Sequence, residues 1–325
     1  MKLLPIAVVV LLAVWVLNMG DVQEVEAQSY PDRPITLIGT QDPGAIADAD
    51  CRAFAEELGK VLKTPVAVIN KTGAGATLGT DFVVKSRKDG YTLLYGTASG
   101  LVYTKAGNPE VVPYDPAKDL EPLGFHCYFP LAAFVLETSP YKTFNELIDY
   151  AKKNPGAVRV SIPGSGNIDH FNVEIVKSMT GAQFTVIPFK GGTAAMTALL
   201  GGHVDVNFAA LPMAIPHVRA GKQRFLIASN KVREFQHVPT ASEMGYKQDL
   251  LYPWFAIYGP AEIPEEVKKV LIPAIETVVK NPEHQARLEK LGVTVEYRTP
   301  AEARKLQESD YARARSLAIQ LGLSK

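Results

Sequence analysis

Val158-Arg159-Val160-Ser161-Ile162, then Pro163-Gly164-Ser165-Gly166-Asn167, then Ile168-Asp169-His170, is the stretch whose reading decides the fold. A short apolar β-rich run stops at a Pro-Gly pair, turns through glycines and opens into a helical pattern. The same order recurs twice. Pro34–Ile38 leads into Thr40-Gln41-Asp42-Pro43-Gly44-Ala45-Ile46-Ala47-Asp48, and Phe184–Pro188 leads into Phe189-Lys190-Gly191-Gly192-Thr193. Other β-rich runs lie at Pro65–Ile69, Tyr91–Tyr95, Leu131–Leu136, Val204–Phe208, Arg224–Ala228, Trp254–Tyr258 and Val293–Tyr297. Between them, Cys51, Phe54, Ala55, Leu58 and Leu62 share one helical stripe, as do Phe144, Leu147, Ile148 and Ala151. Thr143 with Glu146, and Thr299 with Glu302 behind Pro300, have capping-box spacing. Pro264–Leu291 reads as helix interrupted near Pro282, and the C-terminal segment is helical again. Alternating strands and helices, with near-continuous apolar strands, predict a parallel, doubly wound α/β arrangement.

Two aromatic-rich runs flanked by proline, Phe125–Glu137 and Tyr252–Ala261, are longer than the other strands. Read as crossings, they divide the chain into lobe one, residues 28–127 plus 254–325, and lobe two, residues 128–253. Two crossings with a cleft between lobes describe a clamp that closes on a ligand by hinge motion.

The 325 residues suit two lobes, and 47% hydrophobic with 21% charged residues is an ordinary globular balance. Disorder, collagen and a disulfide-stapled miniprotein are excluded. Lys plus Arg equals Asp plus Glu, 34 against 34, so there is no electrostatic footprint for nucleic acid or an anionic membrane. Lys2 precedes an apolar run from Leu3 to about Met19, and Val25-Glu26-Ala27 has the small-residue character of a cleavage site. Residues 1–27 are expected to be a signal peptide, with Gln28 as the new start; a retained membrane anchor is the alternative. Their removal leaves 33 basic and 31 acidic side chains and places the mature protein in an oxidising compartment. Cys51 and Cys127 are expected to be two buried free thiols, with a single bridge as the alternative.

Catalytic motifs are nearly absent. In Gly96-Thr97-Ala98-Ser99-Gly100 the serine falls one position too late for a nucleophile elbow. Gly73-Ala74-Gly75-Ala76-Thr77-Leu78-Gly79 has leucine where the dinucleotide fingerprint needs its third glycine. The six histidines show no i, i+3 or i, i+4 pair of the metal-binding kind. No cofactor is called for. What remains is the set of glycine-rich loops at strand ends, where open α/β sheets bind ligands and exposed amides with a helix start behind them suit an anion.

Taken in order, the motifs resemble the tripartite tricarboxylate transporter solute receptors, the TctC or Bug group of periplasmic binding proteins. The resemblance runs from about Ser29 to about Pro264. It is carried by Tyr30-Pro31-Asp32-Arg33-Pro34-Ile35, Pro43-Gly44-Ala45-Ile46-Ala47-Asp48 with Arg52, Asn70-Lys71-Thr72-Gly73-Ala74-Gly75 and Asp89-Gly90-Tyr91-Thr92-Leu93. Tyr114-Asp115-Pro116, Asn154-Pro155-Gly156, Gly164-Ser165-Gly166 with His170, Pro188-Phe189-Lys190-Gly191 and Leu200-Gly201-Gly202 with Asp205 continue it. The resemblance implies a two-lobed periplasmic-binding-protein fold. It also implies a monomer without an enzymatic step, which delivers a small organic carboxylate, citrate being one candidate, to membrane permease subunits. By position it nominates Gln41, Gly44, Ala45, Ile46, Ser161, Gly164, Ser165 and Gly166 for the carboxylate, with Thr97 and Ser99 lining the cleft and Asp205 on its far wall.

His170 and Lys190 are added as charge or hydrogen-bond partners, each with a local structural role as the alternative. Asp48 and Arg52 are read as a pair within the first helix, and Trp254 as core or hinge packing. The first loop departs from the family pattern, which has an aromatic residue and a Gly-Gly pair; here Asp42 is expected to start a turn. Two other functions stay open: a receptor feeding a sensor, and an exported α/β hydrolase using Ser99 or Ser165.

Overall fold

A computed structural model describes residues 30–164, 167–320 and 322; the expected signal peptide, Ser165 and Gly166 lie outside the described residues. The chain opens with β1 (Ile35–Gly39), α1 (Ile46–Leu62), β2 (Val66–Asn70), α2 (Thr77–Val84), β3 (Thr92–Thr97), the short α3 (Thr104–Gly107) and β4 (Leu120–Tyr128). It continues with β5 (Leu131–Leu136), α4 (Phe144–Lys153), β6 (Val158–Ile162), α5 (Ile168–Thr180), β7 (Phe184–Pro188), α6 (Gly192–Leu200), β8 (Val206–Ala210), α7 (Leu211–Arg219) and β9 (Gln223–Ala228). It returns through β10 (Trp254–Pro260), α8 (Glu265–Val279), α9 (Pro282–Glu289), β11 (Thr294–Arg298) and α10 (Pro300–Gln320).

Local chemistry sets the helix ends. Thr143 and Glu146 form a complete capping box at α4. Thr299 and Glu302 make the reciprocal bonds before α10. The Asn281 side chain accepts from the Glu283 and His284 amides, so the helical run breaks at Asn281-Pro282 and restarts as α9. The expected stripes are buried: Cys51, Phe54, Ala55 and Leu58 on α1, and Phe144, Leu147, Ile148 and Ala151 on α4. Truncating such a leucine to alanine costs about 2–5 kcal/mol. No described helix is long and apolar enough to cross a membrane.

Two sheets form, in the orders β11-β4-β10-β3-β1-β2 and β7-β6-β8-β5-β9. Apart from edge strand β11, the orders share one plan. A first strand, β1 or β6, lies between the next two; then comes an inserted strand, β10 or β5; then the last, β4 or β9. The sheets are mixed rather than wholly parallel, which corrects the expectation from alternation. β10 runs antiparallel to β3 and β4, β11 to β4, and β5 to β8 and β9. The inserted strands arrive from the other lobe and so enter against the local direction.

That reversal positions the cleft. β4 ends at the carboxyl edge of the first sheet, and β5 begins at the carboxyl edge of the second, with Phe129 and Pro130 between them. On the return, β10 also starts at the carboxyl edge of the first sheet, and the Phe129 amide donates to the Pro253 carbonyl at 2.9 Å. Both connections thus join carboxyl edge to carboxyl edge. The loops after β1, β3, β6, β7 and β8 therefore border the space between the lobes.

One apolar core lies under α1 and α8 in the first lobe, and another under α6 and α7 in the second. A third runs through both lobes by way of Trp254, Tyr128 and α10. Trp254 is fully buried, and its indole N–H donates to Asp310 at 2.8 Å, in keeping with a packing role. Cys51 and Cys127 are both buried and free.

Candidate functional site

The loop after β1 is a closed turn. Asp42-Pro43-Gly44-Ala45 has Pro43 at its first corner and Gly44 at φ +82, and the Ala45 amide donates to the Asp42 carbonyl at 3.1 Å. Asp48, in the first turn of α1, accepts from the Gly44 amide at 2.9 Å, from Arg52 Nε at 3.0 Å and from Asn70 Nδ2 at 2.7 Å. Asn70 also donates to the Gln41 carbonyl at 3.0 Å, so the end of β2 holds the loop after β1. Burial pushes the Asp48 carboxyl up, but the Gly44 amide, Arg52 and Asn70 together hold it below the usual range. The expected Asp48–Arg52 pair is present, and it serves to lock the loop.

Gly44 and Ala45 were nominated as amide donors, yet these bonds commit both amides inside the turn. The Ile46 and Ala47 amides, at the start of α1, are the ones left by helix geometry. The Gln41 amide group lies beside Gly39, Cys51 and Asn70 instead of projecting outward, and both its polar atoms are buried without a protein partner.

In the second lobe, Gly164 takes φ +145, a conformation that favours glycine, and a Cβ there would meet Asn167 Nδ2 at 3.4 Å. Asn167 caps α5 by accepting from the His170 amide at 3.0 Å. The His170 ring is half-buried, 3.9 Å from Glu174, and burial lowers its affinity for a proton. Lys190 is exposed on the next loop, which the Phe189 amide ties to the Ile162 carbonyl at 2.9 Å. Thr97 ends β3 and Ser99 follows it, at the same edge of the first lobe. Six expected residues or segments thus gather at the carboxyl edges: the Gln41–Ile46 loop, Thr97, Ser99, Gly164, His170 and Lys190.

Two nominated side chains lie elsewhere. Ser161 is fully buried and its hydroxyl donates to the Ala195 and Val206 carbonyls, facing α6. Asp205 precedes β8 and grips Arg159 with bonds of 2.8, 3.0 and 2.9 Å. That places Asp205 at the amino edge of the sheet, beside Pro140, Tyr141 and Gly202, opposite the cleft. Position in a motif did not reveal which edge a residue occupies.

Sequence reading missed Asn70 as a loop holder, because its link to Gln41 depends on the register that pairs Gly39 with Asn70. It also missed Asp169, in the first turn of α5, whose buried carboxyl is pushed up to about 7 by burial and has one oxygen without a partner.

Residues 51–323 match the model of the tripartite tricarboxylate transporter family receptor. Protein BugT of Bordetella pertussis is 34% identical over 254 residues, 77% of either chain. Among solved structures, an R. palustris protein with adipate superposes with TM-score 0.75 at 25% identity, covering 90% of this chain and 98% of that one. MatC of Rhodopseudomonas palustris, with bound malate, gives TM-score 0.72 at 25% identity, covering 89% and 100%. By its sequence match and its two-lobed α/β architecture, the chain belongs to the tripartite tricarboxylate transporter receptor family, the TctC/Bug periplasmic solute receptors.

Proposed function

We propose that this receptor captures a small organic carboxylate between its lobes and hands it to the membrane permease subunits of a tripartite tricarboxylate-type transporter. It acts as a monomer, by binding alone, after export directed by residues 1–27. The observation that carries this reading is topological: β1 and β6 hold the same place in matching sheets. Each opens, at the edge where the lobes meet, into a glycine-bearing turn and a helix start. The Ile46 and Ala47 amides serve the ligand from the first lobe, and Gly164 with the start of α5 from the second. Thr97, Ser99 and His170 add hydrogen-bond partners, and Lys190 adds positive charge. The malate and adipate held by two relatives point to the same ligand class.

The test is a thermal-shift screen of the mature protein against mono-, di- and tricarboxylates, with amines as the contrast. A ligand at 100 times its dissociation constant adds about 2.7 kcal/mol of stability. Amide exchange should slow at residues 46–47 and 164–166 when that ligand is added. Stabilisation by amines alone, or protection confined to other segments, would refute the proposal.

A further inference from the structure

Beneath α1, away from the cleft loops, the first lobe buries a cluster of metal-ligating side chains that the carboxylate site does not use. Asp50, His126 and Cys127 are each fully inaccessible, and one donor atom from each lies within 4.8 Å of the others. Cys127 Sγ is 3.0 Å from Asp50 Oδ2, and His126 Nδ1 is 3.8 Å from Asp50 Oδ1. Tyr95 Oη completes the set, bonded to Asp50, 2.7 Å from His126 Nδ1 and 3.5 Å from Cys127 Sγ. His126 and Cys127 are consecutive on a strand and would ordinarily point to opposite faces. A β-bulge changes that: Phe255 pairs with Cys127 and Ala256 with Phe125, leaving His126 as the extra residue.

Charge supplies a second, independent observation. Among the described residues no lysine or arginine is bonded to Asp50, and its Oδ1 is buried without a hydrogen-bond partner. An ionised carboxylate so placed is expensive unless a cation compensates it. A divalent cation taken up with loss of the Cys127 proton would leave carboxylate, thiolate and neutral imidazole in balance. The second shell fits as well. A metal on His126 Nδ1 places the remaining ring proton on Nε2, 2.8 Å from His284 Nε2, which can accept it.

We infer that Asp50, His126, Cys127 and Tyr95 form a buried structural site for a borderline divalent cation of the zinc class. Zinc accepts sulfur, nitrogen and oxygen donors alike, and its structural sites are four-coordinate and closed to solvent. Bonds of about 2.0–2.3 Å give tetrahedral edges of about 3.3–3.8 Å, so the ion would spread the closely set Tyr95 hydroxyl outward from its partners. Bound there, it would fasten α1, which carries the first cleft loop, to β3 and to the crossing strand β4. This inference does not depend on which ligand the cleft takes.

The experiment strips the purified chain with a chelator and titrates it with cobalt(II), then zinc. One cobalt per chain is expected, with thiolate charge-transfer absorption and tetrahedral visible bands. Equimolar zinc should displace the cobalt and raise the melting temperature. Cys127→Ser should abolish the charge-transfer band, while Cys51→Ser keeps it. His284→Gln, which leaves all four donors in place, should weaken cobalt binding by about 10–100-fold. An unaltered, folded chain without a thiolate–cobalt band overturns the site. So does a band or a zinc-induced melting shift that survives Cys127→Ser.

Discussion

Asp42 is the least family-like residue of the first loop, and its backbone explains why it is tolerated. Its carbonyl closes the Pro43-Gly44 turn and its side chain is exposed, without a partner among the described residues. A carboxylate aimed at the anion would repel it by about 1 kcal/mol at 4 Å in water. Asp42→Asn should therefore leave carboxylate affinity unchanged, or tighten it by up to about fivefold, as read by calorimetric titration. Gly164 is the opposite case. A β-branched side chain at φ +145 carries about 1–3 kcal/mol of strain and occupies the turn proposed to receive the anion. Gly164→Val should fold with a modestly lowered melting temperature and bind at least about tenfold more weakly. Near-native affinity in that folded variant would remove the β6 loop from the site.

At the level of elements, the capping pairs of α4 and α10 and the break before α9 were legible because each depends on residues two or three apart. The first turn of α5 holds what was not. Its buried Asp169 has a carboxyl pushed up to about 7, against 3.8 for an unburied aspartate. Between those values the unfolded chain releases the proton while the folded chain keeps it. The stabilisation linked to this proton is therefore complete below the unfolded value and is lost as pH rises through 7. The difference between the melting curves of the wild type and Asp169→Asn should therefore grow across that window and persist above it. The variant should gain about 2 °C or more over the wild type at pH 7.5, and the gain should shrink by pH 4.5. A gain independent of pH would mean that Asp169 is already neutral throughout or is not buried in solution.

At the scale of the whole molecule, two hinge connections and the α10 packing bind the lobes. Arg313 on α10 donates to the Asp249 carbonyl at 2.7 Å, and Gly292 of the first lobe packs closely against Ile215 and Pro212 of the second. The exposed Arg233–Glu289 pair between the lobes, at 3.7 Å, adds little. Closure is thus expected to turn about Phe129-Pro130 and Pro253 while the α10 side stays packed. A stabilising carboxylate should reduce the radius of gyration measured by small-angle scattering, and amines should not. Unchanged scattering at saturation would argue for a preformed, rigid cleft.

Alternation, helix starts and an ordered set of turn motifs were enough to read the α/β class and the family, because these signals are local. Leu131–Leu136, Val158–Ile162 and Phe184–Pro188 were read with the boundaries they have in the fold. Strand direction was decided only in three dimensions: β5 and β10 enter from the other lobe, and a strand's own residues carry no mark of its neighbours' direction. The same holds for Asp205, whose sheet edge followed from its grip on Arg159, and for Gly44, whose amide was claimed by Asp48 four residues on. The Asp50–His126–Cys127 cluster lies furthest from local reading. It needs a helix, two strands and a bulge to converge, and it is the pairing of distant segments, not the order of residues, that brings four donors together.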